Sequence, residues 1–238
     1  MSTSDHSSPA SSPSVPAPEP ASATAPTWGW VPIRSLGPRH RERIAAHLHG
    51  LQAADRYLRF GYPATDAQIS KYVDMLDFEQ DEVFGIFSRR LELIAMAHLA
   101  HAMASPATSG VASSEFGVSV LPHARGRGFG RRLFEHAMLH ARNRGVETLL
   151  IHALSENTAM LKIARNAGAT VVREGSESDA TVKLPPDTLG SHVGELVEQQ
   201  AAELDYRLKQ HARRMNGLLG ALGEMKSSLN KATHVAEE

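Results

Sequence analysis

The stretch that most constrains this chain is EFGVSVLPHARGRGFG, residues 115–130. Phe116, Val118 and Val120 alternate there with Gly117 and Ser119, the period-two pattern of a strand. Pro122 has no amide proton to give a ladder, so the strand stops before it. Arg125, Gly126, Arg127, Gly128, Phe129 and Gly130 follow as a glycine-spaced basic loop. From Arg131 to Arg144, Leu133, Phe134, Ala137, Met138 and Ala141 then recur at helical spacing. The first amides of a helix have no internal partners and sit at the positive end of its dipole, so this order of strand, glycine loop and helix start makes an anion site. Arg125, Arg127, Arg131 and Arg132 add positive charge beside it. No Lys followed by Ser or Thr closes the loop and the GxGxxG spacing is not met, so neither nucleotide-binding signature applies.

The loop does match R/Q, x, x, G, x, G/A, with Arg125, Gly128 and Gly130 at its fixed places. Downstream, Val146 to Ala153 reads as a strand, and Asn157, Met160, Ile163 and Gly168 look like the stretch N, x, x, A, x, x, L, Y, x, x, x, G. With these two motifs the chain resembles the GNAT N-acetyltransferase superfamily, although Ala164 stands where many members carry Tyr. The resemblance implies an α/β (α+β) fold: a mixed, mostly antiparallel sheet flanked by helices, its two middle strands splayed around acetyl-CoA. In the family, backbone amides corresponding to Val118 through Val120 hold the pantetheine arm, the loop of Arg125, Gly126, Arg127, Gly128, Phe129, Gly130 and Arg131 holds the pyrophosphate, and Asn157 braces the arm.

Taken in order, residues 1–27 are rich in Ser, Pro and Ala and offer almost nothing to bury, so disorder is expected and a flexible tail rather than a targeting segment. A catalytic domain is expected over 28–186 and a helical extension over 187–238. Residues 31–35 read as a first strand, and Ile44, Ala45, Leu48 and Leu51 as the buried side of a helix. Tyr57, Leu58, Arg59 and Phe60 after that helix are similar to the start of the acetyltransferase domain in bacterial protein-lysine acetyltransferases, with Gly61 in place of a second Phe; they also serve as plain core residues beside a solvated Arg59. Asp66 is placed to cap a helix with Ile69, Tyr72, Val73 and Leu76 inward. Residues 83–87 and 93–102 read as antiparallel strands, and 170–172 with 180–183 as a closing hairpin, for six or seven strands in all.

From Gly190 onward one long helical pattern sets in. Val197, Ala201, Leu204, Leu208, His211, Met215, Leu218, Leu222, Met225 and Leu229 keep a 4,3 spacing, a heptad seam about 50 Å long at 1.5 Å per residue. A helix folded back on the domain and a coiled coil with a second chain both satisfy it. The length of the seam favours intermolecular use, such as a homodimer.

Acetyl transfer needs a neutral amine, and a lysine-like amine is only about a thousandth deprotonated at neutral pH, so a general base is expected. The resemblance points to Glu115, since protein-acetylating relatives carry a catalytic Glu there; His101, His123 and Glu156 are further candidates. Exposed amides of the central strand suit the carbonyl oxygen as it gains charge. Ala164 donates no proton, so Ser155, a water, or unaided departure of the thiolate remains for the leaving group. The implied function is direct, acetyl-CoA-dependent N-acetylation without metal, a protein lysine being favoured over a polyamine or aminoglycoside acceptor. Asp74, Asp77, Glu79, Asp81 and Glu82 could line an acidic small-amine pocket or form a solvated loop. A non-catalytic acyl-CoA-binding scaffold acting through the C-terminal helix is the alternative. The formal net charge of −1 gives no reason to expect nucleic acid, no apolar run reaches the ~20 residues of a membrane span, and the absence of cysteine fits a reducing cytoplasm.

Overall fold

A computed structural model of the chain describes residues 31–102, 112–186, 202, 203, 205, 206 and 209. The Ser/Pro/Ala tail, Trp28, Trp30 and every position of the heptad seam lie outside the described residues. Seven strands form one sheet: β1 (Arg34–Leu36), β2 (Glu82–Phe87), β3 (Leu93–Ala102), β4 (Ser113–Val120), β5 (Thr148–Leu154), β6 (Thr170–Glu174) and β7 (Glu177–Lys183). They lie in the order β1-β2-β3-β4-β5-β7-β6. All neighbours are antiparallel except β4 and β5, which are parallel. Among the described residues, five helices cover the faces: α1 (Arg41–His49), α2 (Ala53–Phe60), α3 (Asp66–Asp74), α4 (Phe129–Asn143) and α5 (Thr158–Asn166).

Strand alternation assigns each side chain to one of two cores. Phe84, Ala97, Leu99 and Phe116 face α4, where Phe134 meets Phe116 edge-on with ring centroids 4.9 Å apart. Val83, Leu93 and Met96 face the other way, onto Ile44 and Leu48 of α1 and Ile69 and Val73 of α3. His47 ties that second layer to the sheet: its Nδ1–H donates to Leu93 O (2.7 Å), and its Nε2 accepts from Ser119 Oγ (2.8 Å). Burial holds this imidazole down to about 4, with Arg59 adding to the effect, so it is neutral.

One local expectation differs from the structure, and one gains detail. Thr65, not Asp66, caps α3: its side chain accepts from Gln68 N while Gln68 reaches back to the Thr65 backbone. Asp66 is instead the first helical residue and pairs with Arg56 at 2.7 Å. YLRF follows α1, as expected, and is itself helical: it forms the second half of α2, which Gly61 closes in the left-handed region at φ 78°. A β-carbon at that position would be strained.

Of the C-terminal segment, Ala202 and Tyr206 are buried. The Tyr206 ring packs against Phe87 and under the Arg34 guanidinium, and Glu203 pairs with Arg34 at 2.6 Å.

Candidate active site

β4 and β5 are paired only at Ser113 with Thr148, Ser114 with Leu149 and Glu115 with Leu150. Beyond Glu115 they part, while β4 continues to Val120 and β5 to Leu154. Leu121 N–H bonds Ile94 O on β3 at 3.0 Å. Amide direction alternates along a strand, so Gly117 and Ser119 also address β3 and the amides of Val118 and Val120 address the gap. The expected arm-binding donors therefore point where, among the described residues, no strand meets them.

At the mouth of the gap, Gly128 caps α4 with φ 74°, a conformation that favours glycine. The first helical bond at this end is Arg132 N–H to Gly128 O at 3.1 Å. Among the described residues, the amides from Gly126 to Arg131 have no acceptor, as an anion cradle requires. The arginines are arranged unequally. Arg125 pairs with Asp55 of α2 at 2.6 Å and donates through Nε to Val120 O at 3.2 Å. Arg127 stacks on Phe129, and Arg131 pairs with Glu135 one turn along. The cradle, the two gap-facing amides and the loop charge fit a CoA-type ligand: an anionic diphosphate followed by an amide-bearing arm.

α2 crosses this gap. The Arg59 guanidinium lies flat on β4, where a Cβ at Gly117 would meet Arg59 Cζ at 2.7 Å. A side chain there would displace it. Asn157 caps α5 by accepting from Met160 N at 3.2 Å, and its Nδ2 reaches Leu58 O at 3.5 Å. Ser155 Oγ–H donates to Glu177 O at 2.9 Å and lies 2.9 Å from Ser178 Oγ, bracing the β6–β7 hairpin. Ala164 is fully buried in the core.

Glu115 is exposed at the last paired position, on the same face of β4 as Gly117. Behind it lies a polar chain that the apolar pattern concealed: Arg59, Tyr72, His98 and Asp81. His101, named as a further base candidate, is on the opposite face, its Nδ1 2.7 Å from Ser114 Oγ and its Nε2 3.2 Å from Glu82. Burial would raise the Glu82 carboxyl, but hydrogen bonds from His101 and His140 outweigh it and hold the group at about 2. The acidic run is thus divided, since Asp81 and Glu82 are tied to histidines and Asp77 holds the amide of Glu79. Among the described residues, no group of three or more His, Cys, Asp or Glu could hold a metal, and no helix is long and apolar enough to cross a membrane.

A strand pair parted beside an anion cradle at a helix start suits a CoA-type ligand, and comparison with known proteins gives the class. The family model described as Acetyltransferase (GNAT) domain matches residues 31–170. The chain belongs to the GNAT acetyltransferases: it is an N-acetyltransferase, and acetyl-CoA is its co-substrate. Among solved structures, the fold is similar to the GNAT domain of S. lividans PAT (TM-score 0.53, 21% identity, 64% of this chain and 89% of that one). An N-acetyltransferase from Staphylococcus aureus Mu50 aligns with TM-score 0.50 and 15% identity over 64% of this chain and 98% of that one. A Salmonella typhimurium protein solved with its cofactor acetyl-CoA aligns with TM-score 0.50 and 15% identity over 66% and 96%. No curated protein matches the sequence.

Proposed function

We propose that the chain transfers acetyl directly from acetyl-CoA to an amine, a protein lysine being the favoured acceptor, with Glu115 as general base. The observation that carries this is the position of Glu115 at the point where β4 and β5 separate, beside the gap-facing amides of Val118 and Val120. Acetyl-CoA supplies the acetyl thioester. The amides from Gly126 to Arg131 bind its diphosphate, Val118 and Val120 orient the arm and the carbonyl oxygen, and Asn157 steadies α5 against α2. Glu115 accepts a proton from the amine, directly or through one water, and returns it to solvent from its exposed position. Protonation of the thiolate falls to Ser155 or to water. The Ser155 hydroxyl already donates to Glu177 O, which favours water, and a thiol of pKa about 8.5 leaves readily.

A polyamine would call for several free carboxylates. Asp81 and Glu82 are bonded to histidines instead, which supports a single amine on a larger carrier. The test is release of free CoA with lysine peptides, polyamines and aminoglycosides, with Glu115→Gln alongside. Turnover of a lysine peptide that falls by on the order of 10²-fold or more in the variant, with acetyl-CoA affinity retained, is expected. Equal turnover by both proteins would remove Glu115 from the chemistry, and response to polyamines alone would replace the acceptor class.

A further inference from the structure

Hydrogen-bond directions on the acceptor face are fixed by what each group can donate. Arg59 Nη2 lies 2.9 Å from Tyr72 Oη. A guanidinium only donates, so the tyrosine oxygen accepts from it. The single phenolic proton is then directed at the other neighbour, His98 Nδ1, at 2.8 Å. His98 in its neutral form carries its own proton on Nε2, which faces Asp81 Oδ2 at 3.0 Å. Asp81 is held in turn by the His101 backbone N–H, at 3.1 Å from its other oxygen. The chain therefore runs from hydroxyl to imidazole to carboxylate, the order in which a relay passes a proton inward.

Its location is as specific as its direction. His98 sits opposite Gly117 in the β3–β4 register, and Glu115 lies two residues back on the same face of β4. The Tyr72 ring is fixed edge-on to Phe60 and to His98, with centroids 5.5 and 5.9 Å away. The charged groups that act on Tyr72 and His98 are Arg59 from α2, Asp81 before β2 and Glu115 from β4. Burial, reinforced by Arg59, keeps His98 below its ordinary range despite Asp81 and Glu115, so it is neutral and able to accept near pH 7.

Proton accounting gives this chain a task. An ammonium acceptor carries three protons and the amide product one, so two must leave the nitrogen, whereas Glu115 takes one at a time. We propose that Tyr72, His98 and Asp81 form a second proton acceptor for the transfer reaction: as the new C–N bond forms and the C–S bond breaks, the nitrogen's second proton passes to Tyr72 Oη while the phenolic proton passes to His98 Nδ1, leaving an imidazolium bonded to Asp81. Reversal of these two transfers delivers the proton to solvent after product leaves. The proposal rests on the amine-acetylating reading above and deepens it.

The test uses the full chain with the responding amine, comparing wild type, Tyr72→Phe, Asp81→Asn and Glu115→Gln. Tyr72→Phe keeps the ring packing and removes only the hydroxyl. It is expected to lower kcat by on the order of 10²-fold, leave the acetyl-CoA Kd and the acceptor KM within a few-fold, and change a curved proton inventory in mixed H2O and D2O to a linear one. Asp81→Asn is expected to lower kcat in the same way, and it carries the test alone if Tyr72→Phe fails to bind acetyl-CoA. Loss through KM alone, or an unchanged kcat and inventory while Glu115→Gln is inactive, would overturn the relay and leave the proposed function standing. A wild type that turns over no amine would remove both.

Discussion

The fold accommodates ionisation of His47 poorly, because both ring nitrogens are used: Nδ1 donates to β3, and Nε2 accepts from Ser119 on β4. Its folded-state value is depressed from 6.5 to about 4, burial being the main cause. A depressed histidine stabilises the fold above the unfolded value and loses that contribution as pH falls through the folded one, so the window is pH 6.5 down to 4. The difference of ~2.5 units corresponds to roughly 3 kcal/mol. His47→Gln removes the titration. It is expected to lower stability at pH 7 and to flatten its fall between pH 7 and 4 by about that amount, measured by urea unfolding at several pH values. An equally steep fall in the variant would assign the acid sensitivity to other groups, such as His40, which burial also holds at about 4.

At the scale of elements, α2 is a strap across the parted strands, holding the loop through Asp55, β4 through Arg59 and the α5 cap through Leu58 O. Arg125 cannot give its full charge to a diphosphate while Asp55 holds it. Asp55→Asn is therefore expected to tighten acetyl-CoA binding a few-fold by calorimetry, less so at high salt. Weaker binding in the variant would instead make the Asp55 bond the contact that positions Arg125. The strap also explains what the sequence could and could not reveal. β4, the glycine loop and α4 were legible because local pattern dictates them: alternation, then a glycine cap, then helical spacing. α4 hid His136 and His140 among its buried residues because tertiary contacts place them there: both rings pack on Phe84, and His140 Nδ1 lies 2.9 Å from Glu82. Tyr72 read as one member of a buried stripe for the same reason. Its partners Arg59, His98 and Asp81 come from elements up to 26 residues away, and no periodicity records such a meeting.

For the molecule as a whole, the described part of the C-terminal extension argues for a structural contribution to the domain itself. β1 is an edge strand of only three residues, and Arg34 on it is 7% exposed. A charge so enclosed needs a carboxylate, which Glu203 supplies while Tyr206 covers the guanidinium face at 3.8 Å. Tyr206→Ala removes a ring that is 8% exposed and joined to Phe87, and is expected to cost about 2–4 kcal/mol by chemical denaturation. Glu203→Gln keeps the shape but leaves the Arg34 charge without its carboxylate, so it is expected to cost about 1–3 kcal/mol, more at low salt than at high. The heptad positions are a separate matter. Ala202 and Tyr206 are not members of the 4,3 seam, whose positions all lie outside the described residues. Light scattering of the full chain and of a chain ending at Pro186 distinguishes the two contributions. A mass that falls by half together with lower stability would mean that the extension both dimerises and covers the β1 edge. An unchanged monomer with lower stability would confine it to the edge, and unchanged stability in all three variants would show that β1 does not depend on it.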